Sequence, residues 1–576
     1  MHARLQPFRF QNTHKSFRGA LLRLKSRRRL GIETRLMIAI FLCFVFLFTA
    51  FVWRAPLVGH SSGSIAQASS SPFQQFNIPY FHGPVPFNQT AIFWFGDVTS
   101  SDNYINVRMG YNNQELYIDL HIVDLYLWYD PHGKSPNLNM GDTATVYLST
   151  TPNGSKSPDR FSYKFLTQVD QYQLRTYYQQ ASQGNSSGWA PSSLPFTSVS
   201  GWRGSGFNGK QDAGWTMTYH LPFSSLGLSG PPSQGAAWKL ALKIQNQDSP
   251  NNNQLAYKWW PALASDSAPS NWGTLVFGMP VYQPPHTSHP ASYEIRNGFN
   301  NQVVTDAMVG GSLNCFNEGL NRWTKFGNQT YPGADRVNIQ DEWDISDFNC
   351  LSKFYITFPL SSLPSGKGVI SAKVTLYEWG NAGGHSPNPS LIQVATVGSG
   401  WNPNNLSWNN APLVQEDISR TVVNVMPTQK VTPPGEPYSW DVSQAVADAY
   451  AAKQPLSLAF FSSDSAYSTA KYFFGSSVGS WNANGRPNLQ ISLGTLAPSS
   501  SVVSNASASA KALSLSSQSP AGNGQQAESP LPFSLANTQA NAPAWHMLYF
   551  APLLTLFLPI LVFARVIKRK KLHFRK

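Results

Sequence analysis

Between residues 76 and 280 apolar and polar side chains alternate with a period of two. In Glu115–Ile122, Leu116, Ile118, Leu120 and Ile122 fall on one face and Glu115, Tyr117, Asp119 and His121 on the other, the pattern of a half-buried strand. Thr143–Leu148, Trp215–Leu221 and Trp238–Gln245 repeat it, each bounded by Gly, Asn, Pro or Ser. No amphipathic helix longer than two turns interrupts them, so an antiparallel sandwich is expected. Strand signals return at Phe354–Phe358, Ala372–Trp379, Leu391–Val397, Leu456–Phe461 and Leu489–Leu493. One segment departs from this period. From Asp441 to Ala452 the apolar residues Val442, Ala445, Val446, Ala449 and Tyr450 recur at helical spacing, with Asp441 as the expected N-cap, Gln444 three positions on and Pro455 beyond the end. The Pro-rich stretch 281–290 separates the two regions. The chain is therefore expected to be all-β, with two tandem antiparallel, jelly-roll-like sandwiches at 76–280 and 291–494.

Two other runs are apolar without alternation. Residues 36–53 and 547–564 are uncharged stretches of 18 residues, at the short end of what crosses a hydrocarbon core of about 30 Å. Charge sorts them. Residues 1–35 hold ten Lys/Arg against one acid, and residues 565–576 hold seven against none. Basic flanks stay cytoplasmic, so both termini are expected inside the cell membrane, with the sandwiches outside between two transmembrane helices. The alternative for 36–53 is a cleaved signal peptide, although its 35-residue basic lead is long. Residues 54–75 and 495–546 are low-complexity spacers poor in large apolar side chains. Because the net charge of +13 arises at the ends, it says nothing about a basic binding face in the near-neutral middle, and nucleic acid is not an expected partner.

Three cysteines occur. Cys43 lies in the first apolar run, leaving Cys315 and Cys350 to form one disulfide outside the cell. No second pair of ligands stands at zinc spacing. Asp335, Asp341, Glu342, Asp344 and Asp347 concentrate acid in a chain otherwise poor in it. Such hard oxygen donors suit a structural Ca²⁺, while the absence of an EF-hand register fits a solvated acidic loop.

The order of strands in the first region resembles the family 9 carbohydrate-binding modules and their DOMON-like relatives. The stretches that carry the resemblance are 107–124, Gly141-Asp142, 214–227, 238–247 and 272–278, spanning nearly the whole region. Family 9 modules, as the resemblance implies, clamp a sugar chain end between two tryptophans. The candidates here are Trp128, flanked by Tyr126 and Tyr129, and Trp259 with Trp260, while Gln245, Asn246 and Gln247 are candidate partners for sugar hydroxyls. The second region resembles the DNRLRE domain, a sandwich related to a polysaccharide-binding module family. Here the matching stretches are 358–364, 369–377, 406–412, 440–443 and 486–492. Two departures stand out. Lys353 replaces an arginine usual before the first matched strand, and a long insertion carries Cys315, Trp343 and Cys350.

No G-x-S-x-G, H-E-x-x-H, Walker or dinucleotide motif occurs, so no catalytic centre is expected. The expected function is binding of polysaccharide or a cell-surface glycan by a membrane-anchored protein of bacterial type. Two alternatives differ in class. One is an adhesin using the sandwiches as spacers, and the other is a haem protein drawing ligands from Met109, Met140, His121, His132 and His220.

Overall fold

Each strand expected from alternation is present. Glu115–Val123, Thr143–Ser149, Asp212–Pro222 and Ala237–Gln247 serve the N-terminal half, and Ser352–Phe358, Lys367–Asn381, Ser390–Val397, Leu456–Ser462 and Asn488–Leu496 the C-terminal half. The computed structural model describes residues 74–497, apart from 172–175, 210, 251–254, 312–320, 342–349, 383–385, 427–431, 465 and 467. Both apolar runs, both basic ends, Cys43, Cys315, Trp343, Glu342, Asp344 and Asp347 lie outside the described residues. Among those described, no helix is long and apolar enough to cross a membrane.

Three sheets build the described residues. A five-stranded sheet runs in the order Ala91–Gly96, Tyr104–Tyr111, Glu115–Val123, Asp212–Pro222, Thr197–Gly204. A six-stranded sheet runs Thr287–Arg296, Asn488–Leu496, Lys367–Asn381, Lys471–Phe474, Arg336–Ile339, with Glu436–Asp441 also on Lys367–Asn381. The third has 13 strands and belongs to both halves. Its seam is the short strand Gln75–Ile78, which pairs in parallel with Gly273–Phe277 and, through Gln75, with Glu416 of Val414–Val423. Parallel pairing here departs from the purely antiparallel expectation. Side chains secure the seam: Asn77 N donates to Asp417 Oδ1 at 2.7 Å, and its Nδ2 donates to Asp417 O at 2.7 Å.

The five-stranded sheet is covered on both faces along Tyr104–Tyr111. Alternation along Tyr104–Tyr111 turns Ile105, Val107 and Met109 toward the N-terminal core and Tyr104, Asn106 and Arg108 toward the C-terminal half, so all eight residues are buried. Tyr104 packs on Trp408 with centroids 4.9 Å apart. The Arg108 guanidinium meets the Asp341 carboxylate, both side chains 0% exposed, and Asn106 Nδ2 donates to Asp341 Oδ1 at 3.3 Å. Lys353 is equally enclosed. Its ammonium lies 3.5 Å from the Trp408 ring centroid, 4.2 Å from Trp94, 4.5 Å from Tyr104 and 4.9 Å from Phe461, and it donates to Tyr104 Oη at 2.6 Å. Rings from both halves thus share one cation, whose charge they offset through their negative faces.

Two local details differ from expectation for simple reasons. The strand Thr287–Arg296 begins inside the Pro-rich stretch, with a bulge between Ser288 and Ala291 where Pro290 has no N–H to donate. The helix spans Ser443–Ala451 with Val442 as N-cap, because Asp441 still ends a strand paired with Lys373. Asp441 Oδ1 nevertheless accepts from Ser443 N at 2.9 Å.

Candidate functional site

Rings gather on the outer side of the long sheet in the N-terminal half. On Thr143–Ser149, Ala144, Val146 and Leu148 enter the core, which leaves Tyr147 on the opposite face. Ala241 stands beside it in register, and its small side chain leaves room for neighbouring indoles. Tyr147 carries three of them, with centroids at 5.3 Å for Trp259, 5.6 Å for Trp272 and 5.9 Å for Trp189. Trp189 and Trp272 lie nearly parallel, 7° apart, at 6.5 Å. Their ring N–H groups donate to Asp266 O at 2.8 Å and Ser265 O at 2.7 Å, which fixes their orientation. Tyr147 and Trp272 are buried, Trp189 and Trp259 are half-buried, and Tyr257 is 47% exposed. The layer is thus a supported foundation with an accessible rim. A rim of this kind offers flat apolar area at little entropic cost, the chemistry that C–H faces of a ring-shaped ligand need.

Two cations border it. Lys243 Nζ sits 4.1 Å above the Tyr257 centroid and 5.6 Å from Trp259, and Lys164 Nζ is 5.7 Å from Tyr147. Burial holds both ammonium groups below the usual lysine range, and the Lys164 charge lowers Lys243 further.

The sequence-derived residues separate on this frame. Trp259 belongs to the ring layer. Trp260, its neighbour, points the other way, is 2% exposed, and packs in the core with its centroid 4.3 Å from Phe93. Gln245 and Gln247 are buried and fasten a loop: Gln245 Nε2 donates to Gly141 O at 2.8 Å, and Gln247 Oε1 accepts from Gly141 N at 2.7 Å. Asn246 is buried with Asp248 as its side-chain partner.

Trp128 sits on that same loop rather than on the ring layer, and no ring contact joins it to Trp259. Its backbone N–H donates to Asp142 Oδ2 at 2.6 Å; its ring is half-buried, and its buried Nε1 has no hydrogen-bond partner among the described residues. Burial, reinforced by the Asp124 charge, raises the Asp142 carboxyl well above the usual range. Tyr126 forms an isolated bridge with Gln211. Tyr129 is 8% exposed against Phe207, with centroids 5.0 Å apart. Met109 faces the core while His121 lies on the opposite face of the same sheet, beside Asn106.

In the C-terminal half Asp341 is 1% exposed and engaged with Arg108. Among the described residues, no group of three or more His, Cys, Asp or Glu gathers at metal-binding distance. Cys350 is disulfide-bonded. Peptide mapping of the unreduced protein is expected to recover it linked to Cys315, and free alkylation of both thiols would contradict the pairing. A second aromatic face, which motif reading did not single out, lies on the six-stranded sheet. Trp379 stacks on Tyr472 at 5.4 Å and 30°, the Arg336 guanidinium lies 4.7 Å from the Trp379 ring, and Trp481, 59% exposed, stands edge-on to Phe474 at 5.8 Å.

Residues 322–492 match carbohydrate-binding module family 96. Among solved structures, the chain is similar to a carbohydrate binding module family 9 from Caldicellulosiruptor kristjanssonii in complex with cellotriose, at 12% identity and a TM-score of 0.26, covering 36% of this chain and 100% of that one. A family 9 module from the same organism in complex with glucose is similar at 10% identity and a TM-score of 0.27, covering 36% and 99%. No curated protein matches the chain. What the comparisons give is a region, residues 322–492, similar to carbohydrate-binding module family 96.

Proposed function

We propose that the protein binds polysaccharide at the cell surface, tethered at the membrane by residues 36–53 and 547–564, and carries no catalytic centre of its own. The observation that carries this reading is the match of residues 322–492, most of the C-terminal half, to a carbohydrate-binding family. The ring layer around Tyr147 supplies a second surface of suitable chemistry, since pyranose C–H faces stack on indoles.

The test is affinity electrophoresis of the full chain, purified in detergent, through gels cast with a panel of soluble polysaccharides. Retardation by at least one polymer is expected. Trp259→Ala is expected to weaken binding at the N-terminal face by about 1–3 kcal/mol, the scale of burying one large apolar side chain, while its melting temperature stays close to that of the parent. Trp260→Ala serves as the contrast and is expected to destabilise the fold by about 3–5 kcal/mol. Free migration in every gel would sink the proposal.

A further inference from the structure

Among the described residues, no acid forms an ion pair with Lys164 or Lys243 on the aromatic face. Both lysines are half-buried, and among the described residues neither ammonium group has a hydrogen-bonded or ion-paired partner. Asp266 is exposed and acts on both from beyond contact distance. Two like charges held together at a partly dry surface repel each other and have given up hydration. The rings of Tyr257, Trp259 and Tyr147 offset part of this cost, and no described hydrogen bond or ion pair to either ammonium offsets the rest. The register explains why the pair is held in place. Lys164 pairs with Tyr147 and Lys243 with Trp259, so the two cations flank the same rings rather than sweeping free in solvent.

From this geometry we infer that the face around Tyr147, Tyr257 and Trp259 takes an anionic polysaccharide, with uronate-type carboxylates meeting Lys164 and Lys243 while the sugar rings lie on Trp259 and Tyr257. The inference rests on the carbohydrate-binding reading and adds the charge class of the ligand. A carboxylate set between the two ammonium groups converts their repulsion into two charge-assisted contacts. A neutral sugar would leave that remainder in place. Asp266 supplies one negative charge against two positive ones, so the face keeps a net positive character.

The experiment compares one polymer with and without its charge: polygalacturonate and its methyl ester, presented to the full chain in detergent at low and at raised salt. The parent is expected to bind the acid form at least tenfold more tightly than the ester, and raised salt should narrow the gap as screening shortens the field. Lys164→Gln combined with Lys243→Gln is expected to abolish that preference at an unchanged melting temperature. Should the double variant melt lower, Lys243→Gln alone is read in the same way. Equal affinity for acid and ester, or an acid preference that survives in the lysine variants, overturns the inference. If neutral polymers bind through Trp259 while polygalacturonate does not, the carbohydrate reading stands and the charge class is wrong. If no polymer binds at all, the parent reading falls with it.

Discussion

Asp341→Ala is expected to lower the free energy of unfolding by about 3–5 kcal/mol, since it removes the carboxylate facing a fully buried guanidinium. Arg108 and Asp341 are both 0% exposed and come from opposite halves of the chain, so the loss should appear across the whole described fold. One cooperative transition is expected before and after substitution. The pair is not irreplaceable. Arg108→Met combined with Asp341→Leu is expected to recover most of the loss, because well-packed apolar side chains can take the place of a buried ion pair at little net cost. Urea unfolding monitored by tryptophan fluorescence would measure both. A loss under 1 kcal/mol for Asp341→Ala, or two separate transitions in the parent, would show that the halves are not energetically joined here.

Thermal stability is expected to peak near pH 4–5 and to decline toward pH 8. Glu378 is 0% exposed, and neither carboxyl oxygen has a hydrogen-bond partner among the described residues. Burial pushes its carboxyl up to about 8 against the pull of Lys471, whose ammonium is occupied by Asn381 Oδ1 at 2.9 Å and Asn388 O at 2.8 Å. Burial likewise raises Asp417 to about 7 and Asp306 to about 6. In the unfolded chain such groups ionise near pH 4. The folded state therefore holds protons that the unfolded state has released. Their contribution is fully present below about pH 4 and drains away as pH rises through the folded values, at about 1.4 kcal/mol per unit of difference. Asp119 and Asp130 act in the opposite sense. Burial works upward at both, but hydrogen bonds and the neighbouring His121 and His132 outweigh it, so they cost stability only in stronger acid. Glu378→Gln is expected to flatten the decline between pH 6 and 8. A parent profile that is level from pH 5 to 8, or a variant slope identical to the parent's, would refute this account.

The strands were legible because alternation is a local property. Leu116, Ile118, Leu120 and Ile122 declare an inward face whatever they pack against. The helix was legible from the period of Val442, Ala445, Val446 and Ala449, but its first residue was not, since pairing of Asp441 with Lys373 across the sheet decides where helical geometry begins. At the candidate site the limit is the same. Trp259 and Trp260 are neighbours of equal chemistry, and strand pleat sends one to the ring layer and the other into the core. Gln245 and Gln247 read as partners for sugar hydroxyls; in the fold, loop closure around Gly141 engages their amides instead.

Composition and periodicity thus settle what each short segment becomes and which of its faces is apolar, because backbone sterics and side-chain burial act over a few residues. They do not settle what covers the polar face. Tyr104, Asn106 and Arg108 belong to the face an isolated sandwich would show to water, and here Asp341, Lys353 and Trp408, more than 200 positions away, close over it. Tyr147 and Trp189 give no sign in sequence of sharing a surface. Their meeting depends on which strands become neighbours in the long sheet, a choice made by the whole core rather than by any segment of it.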